Sequence, residues 1–312
     1  MRIGTRGSAL ALAQTRKVAA ALTAKTGVEI ELVTISTTGD RSTESLSTLG
    51  GTGVFASALR EALLAGECDA IVHSLKDLPT APHAGLSIAA IPKRVDPRDA
   101  LCARDGLTLD TLPQGARVGT GAPRRVAQLL SRRPDLVVVD LRGNVDTRLG
   151  KVASGELDAV VLAAAGLDRL GRLDAVTELL GISGWPTAPG QGALAVEVRT
   201  GDEKLVVALD HKPTRTAVSA ERAVLAALEA GCAAPIGAHA LIDDGLIFLD
   251  ARVYRPDGTG YVTSSHALYV ADVPDPAADV AARVATELLD LGAADLAPLG
   301  DQASDTGPGS AD

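Results

Sequence analysis

Residues 117–151 read RVGTGAPRRVAQLLSRRPDLVVVDLRGNVDTRLGK, and the order of elements in this stretch decides the fold. Arg117–Gly119 enters a strand, the chain turns through Thr120-Gly121-Ala122, and Pro123–Arg133 continues as a helix with its proline near the first turn. A strand at 136–141, a helix from about 144 to 153 and a strand at 158–163 follow. Such alternation implies parallel or mixed sheets with helices on both faces. The same rhythm runs upstream, where 28–35 and 69–73 read as strands and 8–24 and 54–65 as helices, the second stopped by Gly66. It restarts after Pro97. A breaker cluster of Pro186, Pro189, Gly190 and Gly192 then precedes a strand at 193–198. From Thr214 the pattern changes to a long helix ending near Ala230, strands at 236–242, 246–254 and 260–269, and a helix near 277–291. Strands in sequence between two helices predict a small α+β domain with an antiparallel sheet. The final GDQASDTGPGSAD is polar and rich in Gly, Ser and Asp, and reads as a disordered tail.

At 312 residues the chain exceeds one ordinary hydrophobic core and predicts two or three domains. Thirty Lys and Arg against 39 Asp and Glu leave a formal charge of −9, whose summed field repels nucleic acid and anionic membrane surfaces. Only 2% of residues are aromatic, too few for platforms that stack single-stranded bases. The N-terminal Ala/Leu run is too short for a signal peptide and is interrupted by Gln14, Arg16 and Lys17; no stretch has the length of a membrane span. Cys68, Cys102 and Cys232 form neither a disulfide framework nor a zinc motif, and the five histidines show no HExxH pair. No metal site is expected, and a reduced cytoplasm is the default reading.

The positive charge is unevenly placed. Residues 115–151 hold eight cations against Asp135, Asp140 and Asp146, a local net of +5. Arg132 and Arg133 suit the C-terminal end of a helix dipole and read as solvated. Arg124 and Arg125 instead follow a Gly-rich strand-to-helix turn, where free N–H groups and the positive helix end favour anions. Leu141-Arg142-Gly143-Asn144 is a second such turn, with Arg148 one helical turn later, and Thr5-Arg6-Gly7-Ser8 is a third. Arginines at several strand ends converge on one crevice in an open α/β sheet, and their planar forks prefer carboxylate or phosphate. With no GxxxxGK[ST] loop and no GxGxxG fingerprint, a ligand carrying several carboxylates is the expectation.

Two further places bear on chemistry. His73-Ser74-Leu75-Lys76-Asp77-Leu78-Pro79 closes a strand with a cation next to a carboxylate. The spacing fits a surface ion pair and fits equally a partly desolvated acid able to steady a developing cation or pass a proton. Cys232 lies on a loop between a Gly and a Pro, which suits a reactive or modified thiol, although buried structural thiols are the commoner kind. Cys68 and Cys102 adjoin apolar strands and read as inert.

In order and spacing, IGTRGSALAL, HSLKDLP, VGTGAPRR, LRGNVDTRL, AAAGLDRLG, APGQGALAVE and EAGCAAPIG resemble the porphobilinogen deaminase (hydroxymethylbilane synthase) family, over the chain to about residue 292. The resemblance implies two lobes similar to type II periplasmic binding proteins, with mixed sheets, plus a small α+β C-terminal domain with an antiparallel sheet. Its boundaries would be 1–95 with 193–210 for domain 1, 96–190 for domain 2, 213–299 for domain 3 and 300–312 for the tail, with hinges near 93–98 and 186–192. It implies a cytoplasmic, monomeric transferase of tetrapyrrole (porphyrin and haem) biosynthesis. Four porphobilinogen molecules would be joined head to tail, with release of ammonia, into hydroxymethylbilane, and the product handed to the next pathway enzyme. Neither nucleic acid nor membrane is an implied partner.

By the same resemblance a covalent dipyrromethane cofactor hangs by a thioether from Cys232, and Asp77 is the catalytic carboxylate. Lys76, Arg124, Arg125, Ser74 and Thr120 would bind the cofactor. Arg6, Ser8, Arg142, Arg148, Arg169, Gln191 and Phe55 would line the substrate site. Porphobilinogen bears acetate and propionate groups, so a growing chain has two carboxylates per ring for these arginines. Two departures stand out. Thr120-Gly121-Ala122-Pro123 replaces the serines of the family's TSSLRR, and Gly50-Gly51-Thr52-Gly53 lacks the lysine common in relatives, which removes any cationic lid role there. A non-catalytic two-lobed anion-binding protein and a regulator's ligand domain are the competing readings. The third domain with its loop cysteine argues against the first, and the lack of a helix-turn-helix or basic DNA-binding patch against the second.

Overall fold

A computed structural model describes residues 1–35, 53–230 and 234–299, with the side chains of 53–55 outside that description. In chain order come β1 (Arg2–Arg6), α1 (Ala9–Thr26), β2 (Glu31–Ile35), α2 (Gly53–Leu64), β3 (Ala70–Ser74), β4 (Leu86–Ala90) and β5 (Asp99–Ala103). Then follow β6 (Arg117–Gly119), α3 (Pro123–Arg132), β7 (Val137–Val139), α4 (Val145–Ala153), β8 (Ala159–Ala163), α5 (Ala164–Arg169) and β9 (Glu178–Leu179). The chain closes with β10 (Leu194–Arg199), α6 (Lys212–Ala227), β11 (Ile236–Asp243), β12 (Leu246–Tyr254), β13 (Tyr261–Tyr269), α7 (Pro276–Asp290) and α8 (Ala293–Leu296). The expected elements are present with ends moved by a few residues, as frayed termini allow. Strands β4, β5 and β9 and helices α5 and α8 are additions to the expected elements. The expected tail, 300–312, lies outside the described residues.

Two compact units emerge. Unit 1 comprises Met1–Arg98, Ala163–Asp174 and Gly190–Val218; unit 2 comprises Asp99–Leu162, Ala175–Pro189 and the chain from Ser219 onward. Unit 1 is built on a five-stranded sheet in the order β2-β1-β3-β10-β4. β1 runs parallel to β2 and β3, whereas β10 is antiparallel to β3 and β4. Parallel strands need crossover helices, and α1 supplies the first: the Ser8 side chain accepts from Ala11 N–H at its start, and Gly27, at φ 73°, ends it in the left-handed region. Val18 and Leu22 of α1 pack on Ile3, Val72 and Val196 from the sheet.

One buried ion pair ties the returning strand to this unit. Glu197 on β10 accepts from Arg60 Nε and Nη2, both at 2.9 Å, and His73 Nε2 lies 3.3 Å from it. Burial alone would raise the Glu197 carboxyl, but its partners His73 and Arg60 outweigh that and hold it at about 2.

Unit 2 holds a second five-stranded sheet in the order β7-β6-β8-β5-β9 and a three-stranded sheet in the order β11-β12-β13. β6 is parallel to β7 and β8, and β5 is antiparallel to β9. The three-stranded sheet is antiparallel throughout, with α7 packed over β12 and β13. The core of the larger sheet gathers Leu101, Val118, Leu129, Val161 and Trp185. Arg133 is not the solvated charge that was expected. It clamps Asp135 through Nε and Nη2 and donates to the carbonyls of Leu109 and Leu112, closing the loop before β6 onto the end of α3. Arg132 is exposed, as expected. Among the described residues no helix is long and apolar enough to cross a membrane.

Because the folded Glu197 carboxyl sits below its ordinary value of 4.5, its contribution to stability is complete above that pH and is lost as pH falls toward about 2. Acid titration of thermal unfolding should therefore show a loss over this window that is shallower in Glu197→Ala. At neutral pH that variant should be about 3 kcal/mol less stable, because Arg60 is left buried without its partner. An unchanged acid profile in the variant would remove Glu197 from this role.

Candidate functional site

In unit 1, the chemistry-bearing residues sit at the carboxyl ends of β1 and β3. After β1 the chain passes Arg6 and Gly7 to Ser8, whose hydroxyl is engaged as the cap of α1. After β3 it makes a single 3-10 turn, Leu75–Asp77, anchored by the buried Leu75. Arg6, Gln14, His73, Ser74 and Asp77 line a cavity of about 50 Å³ whose apolar wall includes Ala56, Leu59 and Val72. Gln14 Nε2 donates to Ser74 Oγ at 2.8 Å, which fixes that hydroxyl at the rim. Asp77 is exposed in this structure, not the partly desolvated acid of one sequence reading.

Lys76 and Gln191 meet: Lys76 Nζ donates to Gln191 Oε1 at 3.1 Å, and Gln191 Nε2 donates to the Pro97 carbonyl at 2.7 Å. Arg94 Nε donates to the Gln191 carbonyl at 2.6 Å, and Arg169 Nη2 to the Gly192 carbonyl at 2.7 Å. Gln191 and Gly192 are thus held by three cations, Lys76, Arg94 and Arg169. Gly192, at φ 86°, admits no side chain, since a Cβ would lie 2.7 Å from the Val95 carbonyl oxygen. Burial lowers the Arg169 guanidinium to about 10 against the opposing pull of Asp168. A cation desolvated to that degree favours an added anion.

In unit 2, the turn between β6 and α3 is shaped by close backbone approach. A Cβ on Gly121 would lie 2.7 Å from the Leu141 carbonyl oxygen, so glycine stands where the family pattern places serine. Thr120 is buried, and its hydroxyl accepts from the Ala122 N–H at 3.3 Å. The cap residue of α3, Ala122, offers no side-chain acceptor to the first turn. Beyond β7, Arg148 Nε donates to the Gly143 carbonyl at 2.8 Å, and Asn144 caps α4 by accepting from Thr147 N–H. Arg142 is exposed, 3.6 Å from Asp140. Arg148 is lowered first by burial and then by the nearby charges of Arg125 and Arg142, with Asp140 opposing. Unit 2 therefore brings Arg125, Arg142 and Arg148 into one cationic cluster.

Behind that cluster lies Asp99, fully buried on β5. Its Oδ1 accepts from Arg125 Nη2 at 2.6 Å, and its Oδ2 from Arg124 Nη2 at 2.8 Å and Trp185 Nε1 at 2.9 Å. Arg124 Nη1 donates to Gln128 Oε1 at 2.5 Å and to the Pro186 carbonyl at 3.0 Å. Arg125 Nη1 donates to the Val161 carbonyl at 3.0 Å. The expectation that Arg124 reaches toward a ligand carboxylate thus differs from its observed position, in which both terminal nitrogens bind protein groups. Arg124 is lowered by burial first, then by Arg125, while Asp99 raises it.

Cys68 and Cys102 are buried, as expected, and burial pushes their thiols up, that of Cys102 to about 12. Cys232 and the side chain of Phe55 lie outside the described residues. Sequence reasoning missed Gln14, Asp99, Gln128 and Trp185. The one available signal was that Trp185, the chain's single tryptophan, stands beside the breaker cluster. Among the described residues no group of His, Cys, Asp and Glu is arranged to hold a metal.

Residues 1–207 match the family described as porphobilinogen deaminase, dipyromethane cofactor binding domain, and residues 215–290 match the porphobilinogen deaminase C-terminal domain. A protein of Leifsonia xyli named porphobilinogen deaminase is 63% identical over 311 residues, covering 96% of this chain and 94% of its own length. One of the same name from Thermobifida fusca is 58% identical over 279 residues, covering 88% and 87%. Among solved structures, a periplasmic substrate-binding protein of an ABC transporter from Coxiella burnetii is 15% identical with a TM-score of 0.43, over 71% of this chain and 96% of that one. With both family domains matched in order across nearly its whole length, the chain belongs to the porphobilinogen deaminase family.

Proposed function

We propose that this chain condenses four porphobilinogen molecules head to tail, releasing ammonia, into hydroxymethylbilane. The observation that carries the reading, beside family membership, is that Arg142 and Arg148 stand together at the strand-end turn of unit 2, with Arg142 exposed and 3.6 Å from the exposed Asp140. Like charges held together at strand ends are relieved by an anion, and a chain of pyrroles with two carboxylates per ring supplies several. Those residues fit a dipyrromethane group, which carries carboxylates of the same kind; in unit 1 the desolvated Arg169 likewise favours an anion. When bound through Cys232, that group supplies the primer to which pyrrole units are joined.

The roles assigned to the protein's own residues follow their positions. Asp77, beside Arg6 and Ser74, accepts hydrogen bonds from pyrrole N–H groups and stabilises the cation left when porphobilinogen loses ammonia. It also takes up and returns the proton of each coupling step. Arg142, Arg148, Arg6 and Arg169 are the residues assigned to substrate carboxylates. Arg125 adds charge beside Arg148, while Arg124 steadies Asp99. Lys76 and Thr120 sit with the cofactor. Gln191 orients Lys76, and Ser8 fixes the turn that carries Arg6. The protein acts as a cytoplasmic monomer that releases its product to the next enzyme of tetrapyrrole synthesis.

Asp77→Ala should lower kcat by about a hundredfold or more with an unchanged circular dichroism spectrum. Near-normal hydroxymethylbilane production would remove Asp77 from its role. Arg142→Leu should raise KM for porphobilinogen by about tenfold, since it leaves a carboxylate without its charged donor. Unchanged KM and an unchanged distribution of chain intermediates would overturn the assignment of that arginine.

A further inference from the structure

We propose that unit 2 carries a second anion site, remote in composition from the strand-end arginines, that takes a small planar aromatic carboxylate. A cavity of about 420 Å³ opens between the C-terminal half of α3 and the β12–β13 hairpin. It is lined by Ser131 and Arg132 from the helix and by Arg252, Tyr254 and Tyr261 from the hairpin, with Gln128 among its buried residues and no acidic side chain. Two of the chain's three tyrosines are in it, in a protein with few aromatic residues of any kind.

The wall is rigid. Gly258, at φ 76° in the hairpin turn, is pressed against α3 so closely that a Cβ would lie 2.6 Å from Ser131 N and 2.8 Å from the Ala127 carbonyl oxygen. Gln128 Nε2 donates to the Pro186 carbonyl at 2.8 Å and to Tyr254 Oη at 3.2 Å. The pocket is therefore formed before any ligand arrives, which lowers the ordering cost of binding.

Its charged groups are also oriented. The Arg252 guanidinium stacks over Tyr261, 4.4 Å from the ring centroid, and lies 5.7 Å from that of Tyr254. Its Nε donates to Thr263 Oγ1 at 2.8 Å and its Nη1 to Tyr254 Oη at 3.3 Å, while Nη2 has no acceptor among the described residues. The nearest carboxylate of Arg132, on exposed Asp110, is 3.6 Å away, a weakly held contact. A stacked guanidinium with open donors favours a flat ligand whose edge carries carboxylates.

Isothermal titration calorimetry of the full chain with isophthalate tests this, because the probe has carboxylates on an aromatic ring and no aminomethyl group to be turned over. One saturable site is expected, weakened by about tenfold in both Arg252→Ala and Arg252→Lys and unchanged in Arg142→Leu. Cyclohexane dicarboxylate, the saturated counterpart, should bind several-fold more weakly. Absence of saturable heat would overturn the proposal, as would equal binding of the saturated ring. So would a site lost in Arg142→Leu and kept in Arg252→Ala, which would place the probe on the strand-end arginines and leave the proposed function standing.

Discussion

One fully buried carboxylate holds two guanidiniums in unit 2, and the cationic cluster depends on it. Asp99 pairs with Arg124 and Arg125 and accepts a third hydrogen bond from Trp185. A charge taken out of water is costly unless it is paired and hydrogen-bonded, and here the three donors converge from α3 and from the segment before Pro186. The trio has one net positive charge. Of the pair, Arg125 is the one whose charge acts on Arg148. A site built this way keeps its field without rearranging when an anion enters, which is the condition for electrostatic stabilisation of charged intermediates.

Unit 1 solves a related problem by other means. Glu197 on the antiparallel strand β10 gathers Arg60 and His73, while the residues proposed for chemistry, Arg6 and Asp77, line a small cavity that His73 also lines. The buried pair fixes the returning strand, and with it the segment from Gly190 to Gly192 that Lys76, Arg94 and Arg169 engage. Each unit thus holds a paired charge in its interior and further charges at its strand ends.

The alternation of strands and helices was legible because apolar periodicity and Gly/Pro punctuation are local. The strand-end arginines were legible for the same reason, each following a Gly-rich turn. What the sequence left hidden is non-local or directional. Asp99 stands in PRDALCA, and the arginines of the helix that bind it lie 25 and 26 positions away. β9 is two residues long, below any readable period. Arg124 and Arg125 looked equivalent as a pair, but neighbours on a helix point about 100° apart, and Arg124 turns to Gln128 and the Pro186 carbonyl. Gln14 was masked by its setting in an Ala/Leu helix, where only the fold shows that it meets Ser74.

The central claim is that Asp99 organises the arginines that receive a carboxylate-bearing cofactor, and the most direct measurement is intact mass after incubation with porphobilinogen. The wild-type chain should carry a covalent excess of two pyrrole units on the Cys232 peptide. A folded Asp99→Asn variant, its single tryptophan still buried, should load only a small fraction. Full loading of that folded variant would contradict the claim.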